Sequence, residues 1–135
     1  MELITYDFKV RGDERGSLIA IEENRDIPFA IRRVYYIFAT REGVSRGLHA
    51  HRKLQQVMIC IHGSCSVWLD DGAEKVSVPL DNSSRGVLLD SMIWHEMYDF
   101  SPDCVLLVLA SDFYDESDYM RNYDEFKQLA GKAAD

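Results

Sequence analysis

His49 and His51 stand two residues apart in the run Gly43-Val44-Ser45-Arg46-Gly47-Leu48-His49-Ala50-His51. On a β-strand, residues i and i+2 point to the same face. Such a pair can do two kinds of chemistry. Neutral imidazoles bind transition metals, although two alone fall short of the three protein ligands that catalytic sites use. Without a metal, an imidazole titrates at about 6.5 and can accept and return a proton near neutral pH. Two rings on one face also oppose double protonation, which keeps one of them neutral as a base. The bland alternative is a pair that packs or meets solvent. Gln56 follows His51 by five residues and Gly63 follows Gln56 by seven, so the pair sits inside a longer spaced pattern.

A negatively charged substrate would look for arginine. The chain of 135 residues has net charge −8, which argues against nucleic acid or an anionic membrane as its main partner. The charge is uneven: residues 1–60 hold ten Lys and Arg against eight Asp and Glu, and residues 61–135 hold five against fifteen. The candidates for an anion are therefore Arg15, Arg32, Arg33, Arg41 and Arg46 in the first half. With 47% hydrophobic residues there is material for a real core, and disordered, collagen-like and disulfide-scaffold classes are out. No apolar run approaches the roughly 18–20 residues of a membrane span. The N-terminus does not open like a secretory signal. Cys60, Cys65 and Cys104 are odd in number and form no CxxC pair, so they read as reduced thiols of a cytoplasmic protein.

The elements that must position these residues are mostly strands. β-branched and aromatic stretches predict strands at 17–23, 31–39, 47–51, 56–62, 64–70, 74–79, 87–90, 95–100 and 103–110. Gly63, Asp71-Gly72, Asn82-Ser83-Ser84 and Ser101-Pro102-Asp103 supply turns between them. Many short strands with regular turn signals predict a β-sandwich or small barrel. A helix is expected at 118–129, with Tyr119, Tyr123 and Phe126 as a packing stripe and Ser117 or Asp118 as its cap. No linker or repeat divides the chain, so one domain is expected: a barrel at about 17–112 and a helix at about 117–130. Alternation puts Arg33 and Tyr35 on one face of their strand, and whether it is the inner face stays open. Residues 2–10 form a further strand, paired across a subunit interface or as an ordinary edge.

The spacing Gly-x5-His-x-His-x4-Gln-x6-Gly over residues 43–63 resembles the first signature motif of the cupin superfamily, with Gln56 in place of the usual Glu. The resemblance implies an all-β, cupin-type jelly-roll small barrel with a short C-terminal helix. In metal-binding cupins the two histidines, the glutamate and a later histidine hold a divalent ion. Here an amide replaces the carboxylate, and a second motif aligned from Gly86 puts Met97 at the last ligand position. Amide and thioether suit a hard divalent ion poorly, so no metal is expected, although a register shift would bring His95 into that role.

More of the chain is familiar. Asp13-Glu14-Arg15-Gly16-Ser17-Leu18, Ile31-Arg32-Arg33-Val34-Tyr35-Tyr36-Ile37, Arg46-Gly47-Leu48-His49-Ala50-His51, Ile93-Trp94-His95-Glu96-Met97, Leu109-Ala110-Ser111-Asp112-Phe113-Tyr114-Asp115 and Asp118-Tyr119-Met120-Arg121-Asn122-Tyr123 occur in that order. Together they resemble the dTDP-sugar 3,4-ketoisomerases, over roughly residues 6–128. The resemblance implies an isomerase that moves the ketone of dTDP-4-keto-6-deoxyglucose from C4 to C3. It further implies a homodimer with neither metal nor organic cofactor, whose product is later aminated to a 3-amino-3,6-dideoxy sugar for lipopolysaccharide or S-layer glycans. By motif position His51 is the base and His49 orients or protonates the sugar oxygens. His95 is a further proton carrier. Arg33, Arg46 and Arg15 are expected at the diphosphate, with Tyr35 at phosphate and sugar. Tyr35 and Trp94 would offer the thymine an aromatic slot, and Gln56 would be a neutral hydrogen-bonder in the cavity. One-base and two-base transfer both stay open, as does the gluco or galacto configuration of the product. The alternatives are a dTDP-sugar 3,5-epimerase, a non-catalytic sugar-binding cupin and a metal-dependent oxygenase.

Overall fold

The computed structural model describes residues 1–134. Its twelve strands are short: β1 (Thr5–Asp7), β2 (Arg11–Asp13), β3 (Gly16–Leu18), β4 (Arg33–Ile37), β5 (Arg46–His51), β6 (Gln56–His62), β7 (Cys65–Asp70), β8 (Lys75–Leu80), β9 (Arg85–Leu89), β10 (Trp94–Tyr98), β11 (Val105–Ala110) and β12 (Tyr119–Met120). One α-helix, α1 (Tyr123–Ala134), follows a 3-10 turn at Glu116–Asp118. Among the described residues, no helix is long and apolar enough to cross a membrane.

The strands form two five-stranded sheets, ordered β1-β9-β6-β11-β4 and β12-β5-β10-β7-β8, and a separate β2-β3 ribbon. Consecutive strands repeatedly change sheet, and all named pairings are antiparallel. Inward side chains of both sheets share one core, with Met58, Cys60, Val87, Leu89, Leu106 and Val108 facing Cys65, Val67, Leu69, Val78, Leu80 and Met97.

The expected small barrel is not formed. The sheets face each other as an open sandwich, and among the described residues no backbone ladder joins their edges, β1 and β4 in one and β12 and β8 in the other. Closure needs tilted strands that continue the hydrogen-bond register around the seam. Here the strands stop at turns before they can bend across. Edge strand β8 carries Pro79, which has no N–H to offer a further strand.

Two smaller apolar clusters cover the outer faces. Phe8, Ile27 and Phe29 pack on Val57, Ile59, Leu88 and Leu109 of the first sheet, with Ile19 and Ile21 beside them. This explains a departure from the sequence reading, which predicts a strand at 17–23. Only Gly16–Leu18 pairs, because Ile19 and Ile21 spend their apolar alternation on packing as irregular chain. On the second sheet, Ala50, Trp94 and Met120 pack against Phe126 and Ala130 of α1.

The helix starts at Tyr123, later than expected, because Tyr119 and Met120 first pair with His51 and Ala50. Asn122 provides the cap: its Oδ1 accepts from Glu125 N at 3.0 Å and its carbonyl from Phe126 N at 3.0 Å. Asp118 does other work. Its two carboxylate oxygens accept from Lys53 N at 3.0 Å and Leu54 N at 3.1 Å, pinning the chain that leaves the histidine strand. β1 pairs with β9 of its own chain.

Candidate active site

At one end of the sandwich, β5, β10 and β12 bring three imidazoles and a phenol together. The His49 and His51 ring centroids lie 4.9 Å apart, and that of His95 lies 4.5 Å from His49 and 5.7 Å from His51. Tyr119 stands 4.8 Å from His49 and 4.4 Å from His51. Strand pairing sets this up, since His95 is opposite His49 and Tyr119 is opposite His51. Gly47 makes room. It adopts φ +84°, and a Cβ there would lie 3.0 Å from the His95 carbonyl oxygen and 3.2 Å from the His95 ring. Leu48 follows at φ +63°, and the β5–β10 register shifts between His95 and Glu96. This irregular backbone re-aims the histidine strand at the cavity.

Enclosure of the site favours neutral histidines. Burial pushes the His51 imidazole down to about 3, helped by His49, Arg33 and Arg121. Burial likewise lowers His49, and lowers fully enclosed His95 well below the ordinary histidine range. The His49 tautomer follows from its partner. Nδ1 lies 2.9 Å from the Gly47 carbonyl, which can only accept, so Nδ1 carries the proton and Nε2 keeps its lone pair.

Across the cavity, β4 presents Arg33 and Tyr35 inward, while Val34 and Tyr36 face outward and are exposed. Tyr35 donates to Gln56 Oε1 at 2.5 Å. Burial pushes its phenol up to about 12, so it stays protonated as a donor. The Arg33 guanidinium lies between two aromatic rings, 5.2 Å from the Tyr35 centroid and 5.8 Å from that of Tyr114. Arg33 Nε, His51 Nε2 and Gln56 Nε2 are buried with no hydrogen-bond partner. Buried polar atoms left bare cost stability. Three in one place are what a site organised for a polar ligand looks like. Arg33, His51, Lys53 and Tyr119 line a cavity of about 120 Å³ there.

The sequence-predicted residues divide accordingly. His49, His51, His95, Arg33, Tyr35 and Gln56 converge. Trp94 does not: it is next to His95 on β10 and therefore points to the opposite face, where it packs on Tyr123 and Phe126 and donates to Glu96 at 2.9 Å. Arg15 also stands apart, exposed on the β2–β3 ribbon with Nη2 2.6 Å from Asp13. Arg46 is exposed at the start of β5, close enough to lower the Tyr35 pKa. The sequence reading misses Tyr119 and Arg121. Arg121 lies 4.5 Å from the Tyr119 ring and is held by Glu116 at 2.9 and 3.0 Å. A larger groove of about 510 Å³, lined by Trp68, Trp94, Glu96 and Tyr123, lies on the outer face and does not reach the histidines.

His49, His51 and His95 each offer one ring nitrogen within 4.8 Å of the others, so by number they meet the minimum for a divalent ion. The fourth group at hand is an amide already engaged by Tyr35, and Met97 points into the apolar core. The donor set can therefore either hold an imidazole-preferring ion or move protons.

Comparison with known proteins separates further readings. The family described as "FdtA: WxcM-like, C-terminal" matches residues 1–131. The chain is 54% identical over 132 residues to the TDP-4-oxo-6-deoxy-alpha-D-glucose-3,4-oxoisomerase of Aneurinibacillus thermoaerophilus, covering 98% of this chain and 95% of that protein. A 3,4-ketoisomerase from Helicobacter canadensis superposes with a TM-score of 0.93 at 44% identity, covering 97% of this chain and 98% of that one. QdtA, a sugar 3,4-ketoisomerase from Thermoanaerobacterium thermosaccharolyticum solved with TDP, gives 0.95 at 44% identity over 97% and 96% of the two chains. This chain, with its three histidines gathered at one end of the sandwich, belongs to the FdtA family of dTDP-sugar 3,4-ketoisomerases.

Proposed function

We propose that the chain converts dTDP-4-keto-6-deoxyglucose to a dTDP-3-keto-6-deoxyhexose, and that the histidine cluster moves the protons. The C3–H bond is acidic because it lies α to the C4 ketone. His51 takes that proton on Nε2, and the electrons of the bond form a C3–C4 enediolate whose negative charge rests on the C4 oxygen. The same imidazole, or a second one, then delivers a proton to C4. The C3 hydroxyl loses its proton as the C3 carbonyl forms, and that proton passes through His49 Nε2 to the C4 oxygen, which becomes the new hydroxyl and leaves both imidazoles neutral. The substrate is neither oxidised nor reduced overall, so no redox partner is needed.

Arg33 is the proposed diphosphate contact, because a guanidinium makes paired, charge-assisted bonds to phosphate and its Nε has no protein partner. Tyr35 and Gln56 are assigned to the sugar, with Arg46 at the margin of the site. Trp94 is no longer placed at the nucleotide, because it faces α1. The observation that carries the reading is the enclosure of three neutral imidazoles beside bare polar atoms. The product is proposed to serve amination at C3 for a cell-surface glycan, and the chain to act in the cytoplasm.

A homodimer is also proposed. The outer side of the first sheet exposes Val34, Tyr36 and Ile61, and Leu18 of the ribbon lines a groove with Ile61. Such a patch suits a second copy, and sedimentation would test it.

The deciding experiment is NMR of the product formed from the 4-keto sugar nucleotide in heavy water, with and without exhaustive chelation. A ketone at C3 under both conditions is expected. Deuterium at C5 with the ketone still at C4 would mean 3,5-epimerisation. Loss of turnover on chelation would make the histidines metal ligands.

A further inference from the structure

At the end of the sandwich away from the histidines, Cys60, Cys65 and Cys104 meet. They come from the end of β6, the start of β7 and the turn before β11, and each is 3% exposed or less. Their sulfurs all lie within 4.8 Å of one another, with Cys60 and Cys104 at 3.7 Å, and all three are free thiols. Three sulfurs bonded at about 2.3 Å to one pyramidal centre, with angles of about 100°, would stand roughly 3.5 Å apart. Cys60 and Cys104 already stand close to that separation, and Cys65 lies within 4.8 Å of both.

The surroundings narrow the ligand. Val67, Leu80 and Leu106 belong to the same apolar cluster, as do the soft side chains of Met58 and Met97. Hard ions that need oxygen ligands are excluded by this donor set. A net charge is also penalised, since nothing there compensates it. Three thiolates with a monovalent or divalent ion leave a buried negative charge, whereas three with a trivalent centre leave none. We propose that Cys60, Cys65 and Cys104 form a binding site for a trivalent thiophilic centre, such as arsenic(III) or antimony(III). For arsenous acid the exchange balances without oxidation or net proton release. Each As–OH bond is replaced by an As–S bond, and each hydroxide leaves with one thiol proton as water, three waters in all.

Access runs through two turns. Gly63 lies between Cys60 and Cys65 at φ +71°, where a Cβ would fall 2.7 Å from Asp103 Oδ1 and 2.9 Å from Cys104 Cα. Ser64 N donates to Ser101 Oγ at 2.9 Å, and Cys104 N to the Ser101 carbonyl at 3.0 Å. The thiols therefore lie one layer beneath a pair of surface turns.

The test is native mass spectrometry of the full chain with sodium arsenite, with thiols counted by a thiol reagent in denaturant before and after. The expected result is one arsenic per chain, with the mass gained being arsenic less three hydrogens, and all three thiols protected. The same adduct should form in a His49→Asn/His51→Asn variant, which separates this site from the histidines. Cys65→Ala and Cys104→Ala, each checked for folding by circular dichroism, should reduce arsenite affinity at least tenfold, because only two sulfurs remain. An adduct that protects fewer than three thiols would overturn the proposal. So would one that survives in both folded alanine variants, or arsenic uptake only when the chain is unfolded. Cadmium(II) bound as tightly as arsenite would overturn the charge argument for a trivalent centre.

Discussion

Replacing His51 by Asn should make the fold less sensitive to acid. Burial holds the His51 imidazole at about 3, against about 6.5 in an unfolded chain. Between these values the unfolded state binds a proton that the native state refuses, so stability falls as pH falls through this window. The dependence is near zero above pH 7 and flattens below about 3. At 1.36 kcal/mol per unit, going from pH 7 to pH 5 removes about 2 kcal/mol through this one residue. His51→Asn cannot contribute that loss, while burial, the largest cause of the shift at His49 and His95, still depresses both in the variant. Urea unfolding at one fixed protein concentration, at pH 7, 6 and 5, reads the difference. The wild type should lose about 2 kcal/mol more than the variant over the two units. Parallel losses would show that His51 is hydrated in the folded protein, and the argument for a dry proton-transfer site would fail.

Four further outcomes follow from the same geometry. For the proposed reaction, kcat/KM should stay within about twofold between pH 7.5 and 5.5, because the base is already deprotonated there, whereas an ordinary histidine would lose roughly tenfold. Arg33→Ala should weaken dTDP binding by about 10- to 100-fold, the range for a charged hydrogen bond, as read by titration calorimetry. Gly47→Ala should cost roughly 1–2 kcal/mol from its positive φ alone, and it should lower kcat because the new Cβ crowds His95. Trp94→Phe should lower the unfolding midpoint through its lost bond to Glu96 and its packing while leaving KM unchanged, and a shifted KM would put the indole back in the site.

What could be read from the sequence was what depends on local pattern. Residues 57–61 form an unbroken apolar run because β6 is central in its sheet and buried over residues 56–60, and the predicted limits 56–62 coincide with the observed strand. Arg33 and Tyr35 share a face by alternation, and the structure makes it the inner one. The same rule applied to β10 separates Trp94 from His95, and Trp94 packs against α1 while His95 joins the other histidines. Tyr119 was hidden for a different reason. Its spacing to Tyr123 and Phe126 suits a helix, but pairing with β5 outweighs helix propensity and turns the ring onto the histidines. Whether the sheets close into a barrel depends on how edges meet in space, which hydrophobic alternation does not encode. Where the β2–β3 ribbon carrying Arg15 docks is likewise a matter of tertiary contact.

The desolvation that keeps these imidazoles neutral also makes them weak bases. A group held at about 3 has little affinity for a carbon-bound proton, so the free protein is poorly suited to the first step of the proposed reaction. An anionic substrate changes this. Negative charge beside an imidazole raises its pKa, and in a dry site the effect is larger than in water. The diphosphate, and then the enediolate as its charge develops, would supply that field. Arg33 offsets part of the field and also belongs to the groups that lower His51 when no substrate is bound. Its guanidinium would therefore act in both states, suppressing protonation of the empty site and anchoring the anion that restores basicity. On this reasoning an uncharged 4-keto-6-deoxy sugar should fail as a substrate even at saturation, with the loss in kcat as well as in KM, because the nucleotide's charge sets the base as well as the grip.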